Sequence, residues 1–337
     1  MTPTQQATSI FSLLGLILTL FFNSILIFLT VFYIRRIVPA YKYMIVTFAI
    51  LGIVFTAAEH AAKPYIHNFN ASFMYFSVES ESSESSIDFL KLALGLYAGL
   101  YSSLISFTAL QFAFRYLTLK QSLLLERYKK PLAILSIGYV ILFGFMFGGS
   151  MYFLAEPDAY DDDYLREEIT KVYGLEITKI PRFIVLPYHP NGDIRLKPLM
   201  CSVLCMLVIS TQYLVIIFCA LKMRRLICNN LSHSYNQQNL EGQFFKALLV
   251  QIILPTVLLT LPSFPVLFSP FLDLQMSVES GFIYTLFSFY TPLDSLSFMC
   301  IVSEYRVRVK GIFGDFKKPM LARETLATIR EPVESII

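Results

Sequence analysis

The chain has 337 residues, of which 55% are hydrophobic and only 15% charged, with 31 Phe, 20 Tyr and no Trp. Its formal net charge of +3 averages two oppositely charged faces, so it points to neither nucleic acid nor an acidic substrate. The cysteines Cys201, Cys205, Cys219, Cys228 and Cys300 lie in or beside apolar runs and read as small packing residues, not as a disulfide framework.

A membrane helix needs about 20 apolar residues. In chain order, Met1 to Ile34 is free of charge and too long for the apolar part of a cleaved signal, so it reads as a first span that is its own insertion signal. The second uncharged run, Met44 to Ala58, is short and crosses only by taking in Glu59, His60 and the segment up to Lys63. Leu92 to Phe114, Pro131 to Ala155, Leu199 to Leu221 and Ala247 to Leu272 carry no charge, and Ser280 to Ser303 carries only Asp294. The pattern predicts an all-α bundle of seven transmembrane helices at about 9–34, 43–63, 89–116, 131–155, 199–222, 246–271 and 279–303.

Basic residues are retained on the cytosolic side of short loops. Arg35, Arg36 and Lys42 follow span one, Arg115, Lys120, Arg127, Lys129 and Lys130 follow span three, Lys222, Arg224, Arg225 and Lys246 bracket the connection from five to six, and Arg306, Arg308, Lys310, Lys317 and Lys318 follow span seven. The alternate connections carry Glu79, Glu81, Glu84 and Asp88 against Lys63 and Lys91, and Asp273 with Glu279. The N-terminus is therefore expected outside and the C-terminus in the cytosol.

The longest connection, 156–198, is expected outside the cell, opening with Asp158, Asp161, Asp162 and Asp163 as a solvated acidic run. Tyr164 to Gly174 has the composition of a short helix, and Pro187 to Asp193 that of a turn. Asn70-Ala71-Ser72 is a glycosylation sequon on the outer face, whereas Asn230-Leu231-Ser232 falls on the cytosolic one. At the other end, 304–337 is a cytosolic tail. Its start, Tyr305 to Lys318, alternates basic with apolar residues and suits a segment lying on anionic lipid. The remainder, from Pro319, is polar and carries Thr325, Thr328 and Ser335 as candidate phosphorylation sites.

Several pieces together carry a family resemblance: Tyr41-Lys42-Tyr43-Met44, the run from Glu59 to Phe76, Gln111 to Tyr116, Tyr164 to Glu168 with Tyr173-Gly174, Gly192 to Arg195, Gln243 to Pro262, and Pro292-Leu293-Asp294 followed by Tyr305-Arg306. From about Tyr41 to Arg306 the chain resembles the nematode serpentine chemoreceptors of the Str class and their close relatives; Leu196 stands where members often carry Trp. The resemblance implies a G-protein-coupled receptor for small chemical cues, displayed on sensory cilia in the plasma membrane, with a heterotrimeric G protein as partner, no cofactor and no enzymatic activity.

Arg115-Tyr116 closes span three where rhodopsin-like receptors have an acid-Arg-Tyr triplet, but Phe114 occupies the acid's place. Arg115 reads either as a snorkelling positive-inside anchor or as a contact for a G protein. Asp294, a carboxylate inside a span and two residues after Pro292, must have a partner, and reads as a structural or switch hydrogen bond ahead of a ligand contact. Span six contains Pro255, Pro262 and Pro265, which kink it; such a helix swings its cytosolic end outward or stays bent and static. Tyr305 and Arg306 complete the candidates for coupling.

For ligand binding, the outer halves of the spans offer Tyr97, Tyr101, Ser102 and Ile105 from span three, Glu59 and His60 from span two with His67 a heptad beyond, and Phe282 and Tyr284 from span seven. Each aromatic is equally a packing residue. Glu59 is the strongest candidate because an ionisable group inside a span is functional by default, with a salt bridge to Lys63 at i+4 as the alternative.

Other classes fit less well. No Lys lies between Gly281 and Val302 to hold retinal, and only His60 is placed inside a span, His67, His189 and His233 being scattered, which leaves no zinc site. No internal repeat suggests a transporter. The competing reading is a receptor-like scaffold or trafficking partner for other chemoreceptors, without a ligand of its own. A wall rich in Phe and Tyr favours a small, weakly polar odorant, and the sequence leaves open both homo- and hetero-oligomers.

Overall fold

The computed structural model describes residues 3–34, 39–77, 84–120, 129–229, 235–272, 277–279 and 282–309. Several expectations fall outside these residues: the basic pair Arg35 and Arg36, the acids Glu79, Glu81 and Asp273, the Asn230 sequon, and the tail beyond Val309 with Thr325, Thr328 and Ser335.

The long helices are α1 (Pro3–Phe28, continued by a π-helical turn Leu29–Tyr33), α2 (Pro39–Ala62), α3 (Glu84–Lys120) and α4 (Lys129–Leu154). After a shorter helix, α5 (Ala159–Tyr173), come α6 (Leu196–Asn229), α7 (Tyr235–Pro255), α8 (Leu261–Leu272) and α9 (Phe282–Ile301). Among the described residues six helices are long and apolar enough to cross a membrane, α7 and α8 counting as one; α9 makes a seventh when joined to Ser303–Val309, which turns away from it by 94°. Span two, the shortest run in the sequence, is a full helix because Tyr41 to Met44 extends it at one end and Glu59 to Ala62 at the other.

Outward-facing positions are apolar, as lipid demands: Ile134, Ile137, Ile141 and Phe145 form an exposed stripe on α4 at helical spacing. The inward face of the same helix is built from glycines. A Cβ on Gly148 would stand 2.5 Å from the Gly95 carbonyl oxygen, and one on Gly99 3.0 Å from that of Gly144, so α3 and α4 pack backbone to backbone. Deeper in the bundle α1, α2 and α9 are joined by hydroxyls: Thr291 lies 2.7 Å from Thr19 and 2.8 Å from Thr56, while Asn23 donates to the Ala49 carbonyl at 2.8 Å and accepts from Ser295.

Pro255 ends α7 because it has no N–H to donate, and the backbone relaxes into a π-helical segment, Thr256–Thr260, before α8 resumes. That widened turn aims Thr256 and Thr260 at the Tyr213 hydroxyl of α6, at 2.9 and 3.0 Å. Pro262 and Pro265 lie further along, in α8.

The predominantly helical chain also carries a sheet that hydropathy alone does not predict. Strands β1 (Pro64–Phe69) and β2 (Ser72–Ser77) form a hairpin around Asn70, whose φ of +47° is one that asparagine tolerates. With β3 (Arg182–Val185) and β4 (Ser277–Glu279) they make an antiparallel sheet in the order β3-β2-β1-β4. Every residue of β2 is buried, which is why no polar-apolar alternation marks it. Phe73 and Tyr75 pack with Phe183 and Val185 into the bundle core, while Met74 and Phe76 face the other way, against Leu165 and Ile169 of α5. The sheet is thus a layer between the helix ends and α5.

The acidic run is not the solvated loop expected of it. Asp158 caps α5 in a reciprocal box with Asp161, so the helix begins before Tyr164 and ends at Gly174, where φ is +66°. Asp161 is buried and paired with Arg195, which also reaches Asp158 at 2.6 Å; Asp162 accepts from Nε and Nη2 of Arg182. Burial pushes the Asp161 carboxyl above the usual carboxylate range even with Arg195 beside it. These acids clamp α5 to β3 and to the chain entering α6, a role that requires arginines distant in sequence.

Candidate functional site

Under the sheet lies a carboxylate. Lys63, at φ +43°, and Pro64 stop α2, which leaves Glu59 in its last turn with only 1% of its surface exposed. Oε1 accepts a hydrogen bond from Ser288 of α9, and the Tyr97 hydroxyl of α3 donates to Oε2 at 3.4 Å. The Ser288 hydroxyl has a second acceptor 2.9 Å away, the Tyr284 carbonyl one turn earlier. Behind Ser288, a Cβ on Gly15 would stand 2.6 Å from the Ser288 carbonyl oxygen, so only glycine lets α1 back α9 this closely.

Rings surround this group. Phe55 stacks on Tyr97 at 4.8 Å between centroids; Tyr284 is 6.3 Å from Tyr97 and 5.3 Å from Phe287, and Tyr101 stacks on Phe287 at 6.2 Å. Tyr75 descends from β2 and donates to the Leu94 carbonyl at 3.1 Å, closing the cage from above.

Glu59, Tyr97 and Tyr284, singled out in the sequence, are therefore brought together, and Tyr101 borders them with its hydroxyl 3.5 Å from Thr260. Ser102 is not part of the cage: it is buried and donates to the Phe143 carbonyl of α4 at 3.2 Å. His60 is half-buried on a different face from Glu59, since successive helical residues point about 100° apart. His67 belongs to β1 and faces α5, with Tyr173 at 3.1 Å and Glu168 at 3.8 Å. Ile105 is in the core, and the side chain of Phe282 is outside the described set. Sequence reasoning missed Ser288, Phe55, Phe287 and Tyr75; the first two were within reach as the i+4 and i−4 neighbours of Tyr284 and Glu59.

At the opposite end the second group of candidates divides. The Arg115 guanidinium packs into the corner formed by the rings of Tyr41 and Phe244, which meet edge to face. Tyr116 points instead toward α6, its ring 6.4 Å from Phe218. Tyr305 is fully buried, its hydroxyl 2.8 Å from Thr30, whereas Arg306 is exposed on the turned-away segment. Asp294 is 3% exposed and accepts from Gln251 of α7 at 3.3 Å through Oδ2, with Oδ1 unpartnered among the described residues. Arg115, Leu119, Met223, Ile227, Phe245 and Leu248 line a shallow cleft of about 10 Å³.

A larger groove of about 510 Å³, beside Thr170 and Gly174 at the end of α5, is open to solvent and belongs to the outer layer. No group of three His, Cys, Asp or Glu suited to a metal occurs among the described residues.

A bundle of this form, with a buried ionisable group beneath a layer of strands, is that of a multi-pass helical membrane protein. The description "Serpentine type 7TM GPCR chemoreceptor Str" matches residues 8–310, and the chain belongs to that family, which is one of multi-pass membrane receptors and not of enzymes. It is 43% identical over 300 residues to "G-protein coupled receptor str-33" of Caenorhabditis elegans, covering 86% of each chain. It is 23% identical to "Serpentine receptor class r-10" of C. elegans and of C. briggsae, over 271 and 288 residues, with coverage of 79% and 82% of each chain.

Proposed function

We propose that this chain is a chemosensory receptor of the plasma membrane that takes a small, weakly polar odorant into the Glu59 cage and activates a heterotrimeric G protein at the opposite end of the bundle. The observation that carries the reading is Glu59 itself, buried and hydrogen-bonded to two other helices beneath a layer of strands. A carboxylate in that position costs several kcal/mol unless it has a use or a partner. Among the described residues Asp158, Asp161, Asp162, Asp163 and Glu279 lie at the sheet end and Lys42, Lys120, Lys222, Arg224 and Arg225 at the Arg115 end, which fits an N-terminus outside and a C-terminus in the cytosol.

In this orientation Asn70, at the tip of the β1–β2 hairpin, is the glycosylation candidate. The connection 156–198 is an outer lid, and Ser303–Val309, with Arg306 and Arg308 exposed, lies along the inner leaflet against anionic lipid. Sensory cilia are the expected location for such a receptor. The coupling role falls to Arg115, Tyr116, Pro255, Asp294, Tyr305 and Arg306.

The test is a cell line displaying the chain with an N-terminal surface tag and a G-protein activation reporter, challenged with volatile and water-soluble cues. A dose-dependent signal supports the reading. Surface staining with no signal across the panel shifts weight to the scaffold or trafficking role.

A further inference from the structure

Resting on the cage as the cue site, the chemistry of its walls narrows what enters. A carboxylate removed from water needs a counter-charge or a proton. Both hydrogen-bond partners of Glu59 among the described residues are hydroxyls, Ser288 and Tyr97, and neither brings charge. The remaining walls are ring faces: Phe55 on Tyr97, then Tyr284 and Phe287. Tyr284 is 6.3 Å from Tyr97 between ring centroids, and Tyr75 covers the cage from β2 with its hydroxyl on the Leu94 carbonyl. Aromatic faces carry the negative part of the ring quadrupole, so they favour the same sign of guest as the carboxylate does.

An acceptor such as a ketone or ester finds little to hold it. Ser288 and Tyr97, the hydroxyls beside the carboxylate, are both turned toward Glu59, and Tyr75 is turned to Leu94. We propose that the Glu59 cage takes a small organic cation, a protonated amine on an apolar skeleton, with the ammonium on the carboxylate and the carbon frame against Phe55, Tyr97 and Tyr284. The rings pack closely over Glu59, so the guest enters by displacing Tyr97 or Tyr284 and replaces the Tyr97 hydroxyl with a charged donor. A single nitrogen meets the need of the single carboxylate, and the rest of the guest stays apolar.

The experiment uses the full chain in lipid nanodiscs and reads thermal stabilisation by cyclohexylamine and by cyclohexanol, which share a skeleton and differ in charge at neutral pH. The amine is expected to stabilise and the alcohol not. Glu59→Gln keeps the side-chain shape and an acceptor for Ser288, and should weaken amine binding about 30-fold or more, with Glu59→Asp retaining part of it. Equal stabilisation by the alcohol, unchanged amine affinity in a folded Glu59→Gln, or no stabilisation by any member of a small alkylamine panel overturns the proposal. The amine–alcohol comparison on the unmutated chain decides the matter even if the variant does not fold. Amine binding without G-protein activation would keep the site and remove the signalling role; activation by neutral cues alone would do the reverse.

Discussion

The guanidinium carbon of Arg115 stands 4.2 Å from the centroid of the Tyr41 ring and 4.4 Å from that of Phe244, the two rings meeting edge to face with 5.0 Å between their centroids. Three helices, α2, α3 and α7, meet at this one cation. Where a neighbouring acid is replaced by Phe114, an aromatic clamp supplies the restraint that an ion pair would otherwise provide.

That clamp predicts a gain of function. Phe244→Leu keeps the bulk but loses one ring face worth about 1 kcal/mol, which should raise the open population and hence cue-independent signalling about fivefold. Arg115→Ala should leave surface level intact and abolish signalling. Basal and stimulated G-protein activation at matched surface density checks both; unchanged signalling in Arg115→Ala would reduce Arg115 to a membrane anchor.

Asp294 is tied to Gln251 across α9 and α7, and its second oxygen has no partner among the described residues. Asp294→Asn should therefore retain surface expression and shift the half-maximal cue concentration, with Gln251→Leu shifting it in the same direction. Loss of both variants from the cell surface would mean that the contact only supports folding.

His67 gives the outer layer a pH dependence. Burial holds its pKa below the ordinary histidine value, against the opposing pull of Glu168 on α5 and Glu279 on β4; Tyr173 faces its Nδ1. The folded sheet therefore prefers the neutral ring. Its contribution is complete above about pH 6.5 and falls as pH drops toward the lowered value, because the loosened state binds the extra proton more readily. The protection factors of amides in 64–77, taken relative to the intrinsic exchange rate at each pH, should fall on acidification, and His67→Gln should flatten that response.

Arg195 closes the acidic corner of the lid, with its side chain 8% exposed against 1% for Asp161. Arg195→Ala leaves a buried carboxylate unpaired and should cost about 3–5 kcal/mol of local stability, much of it recovered when Asp161 is also made apolar. Limited proteolysis of 156–198 compares the single and double variants, and equal protection in both would remove the ion pair from the account.

Hydropathy was enough to expose the bundle, since lipid enforces long uncharged helices that no soluble context requires. The charged residues between them were equally legible as two faces. Half of the cage was legible too, because an isolated acid such as Glu59 stands out against an apolar run, and Tyr97 with Tyr101 shares a helical face. Ser288 and Phe55 share a helical face with Tyr284 and Glu59, but a serine or a phenylalanine in a membrane helix is ordinary until a neighbouring helix gives it a purpose, so helical spacing alone did not single them out.

The sequence by itself determined the helices, their number and the segregation of charge, all of which follow from local composition against the bilayer. Tertiary structure alone decided that Pro64 to Ser77 would pair as strands, since both faces of β2 are covered and its pattern carries no period. It also decided that Asp161 would find Arg195, and that Glu59, Tyr97 and Ser288, from three different helices, would converge on one point. Those contacts join residues far apart in the chain, and only the closing of the bundle brings them within hydrogen-bond reach.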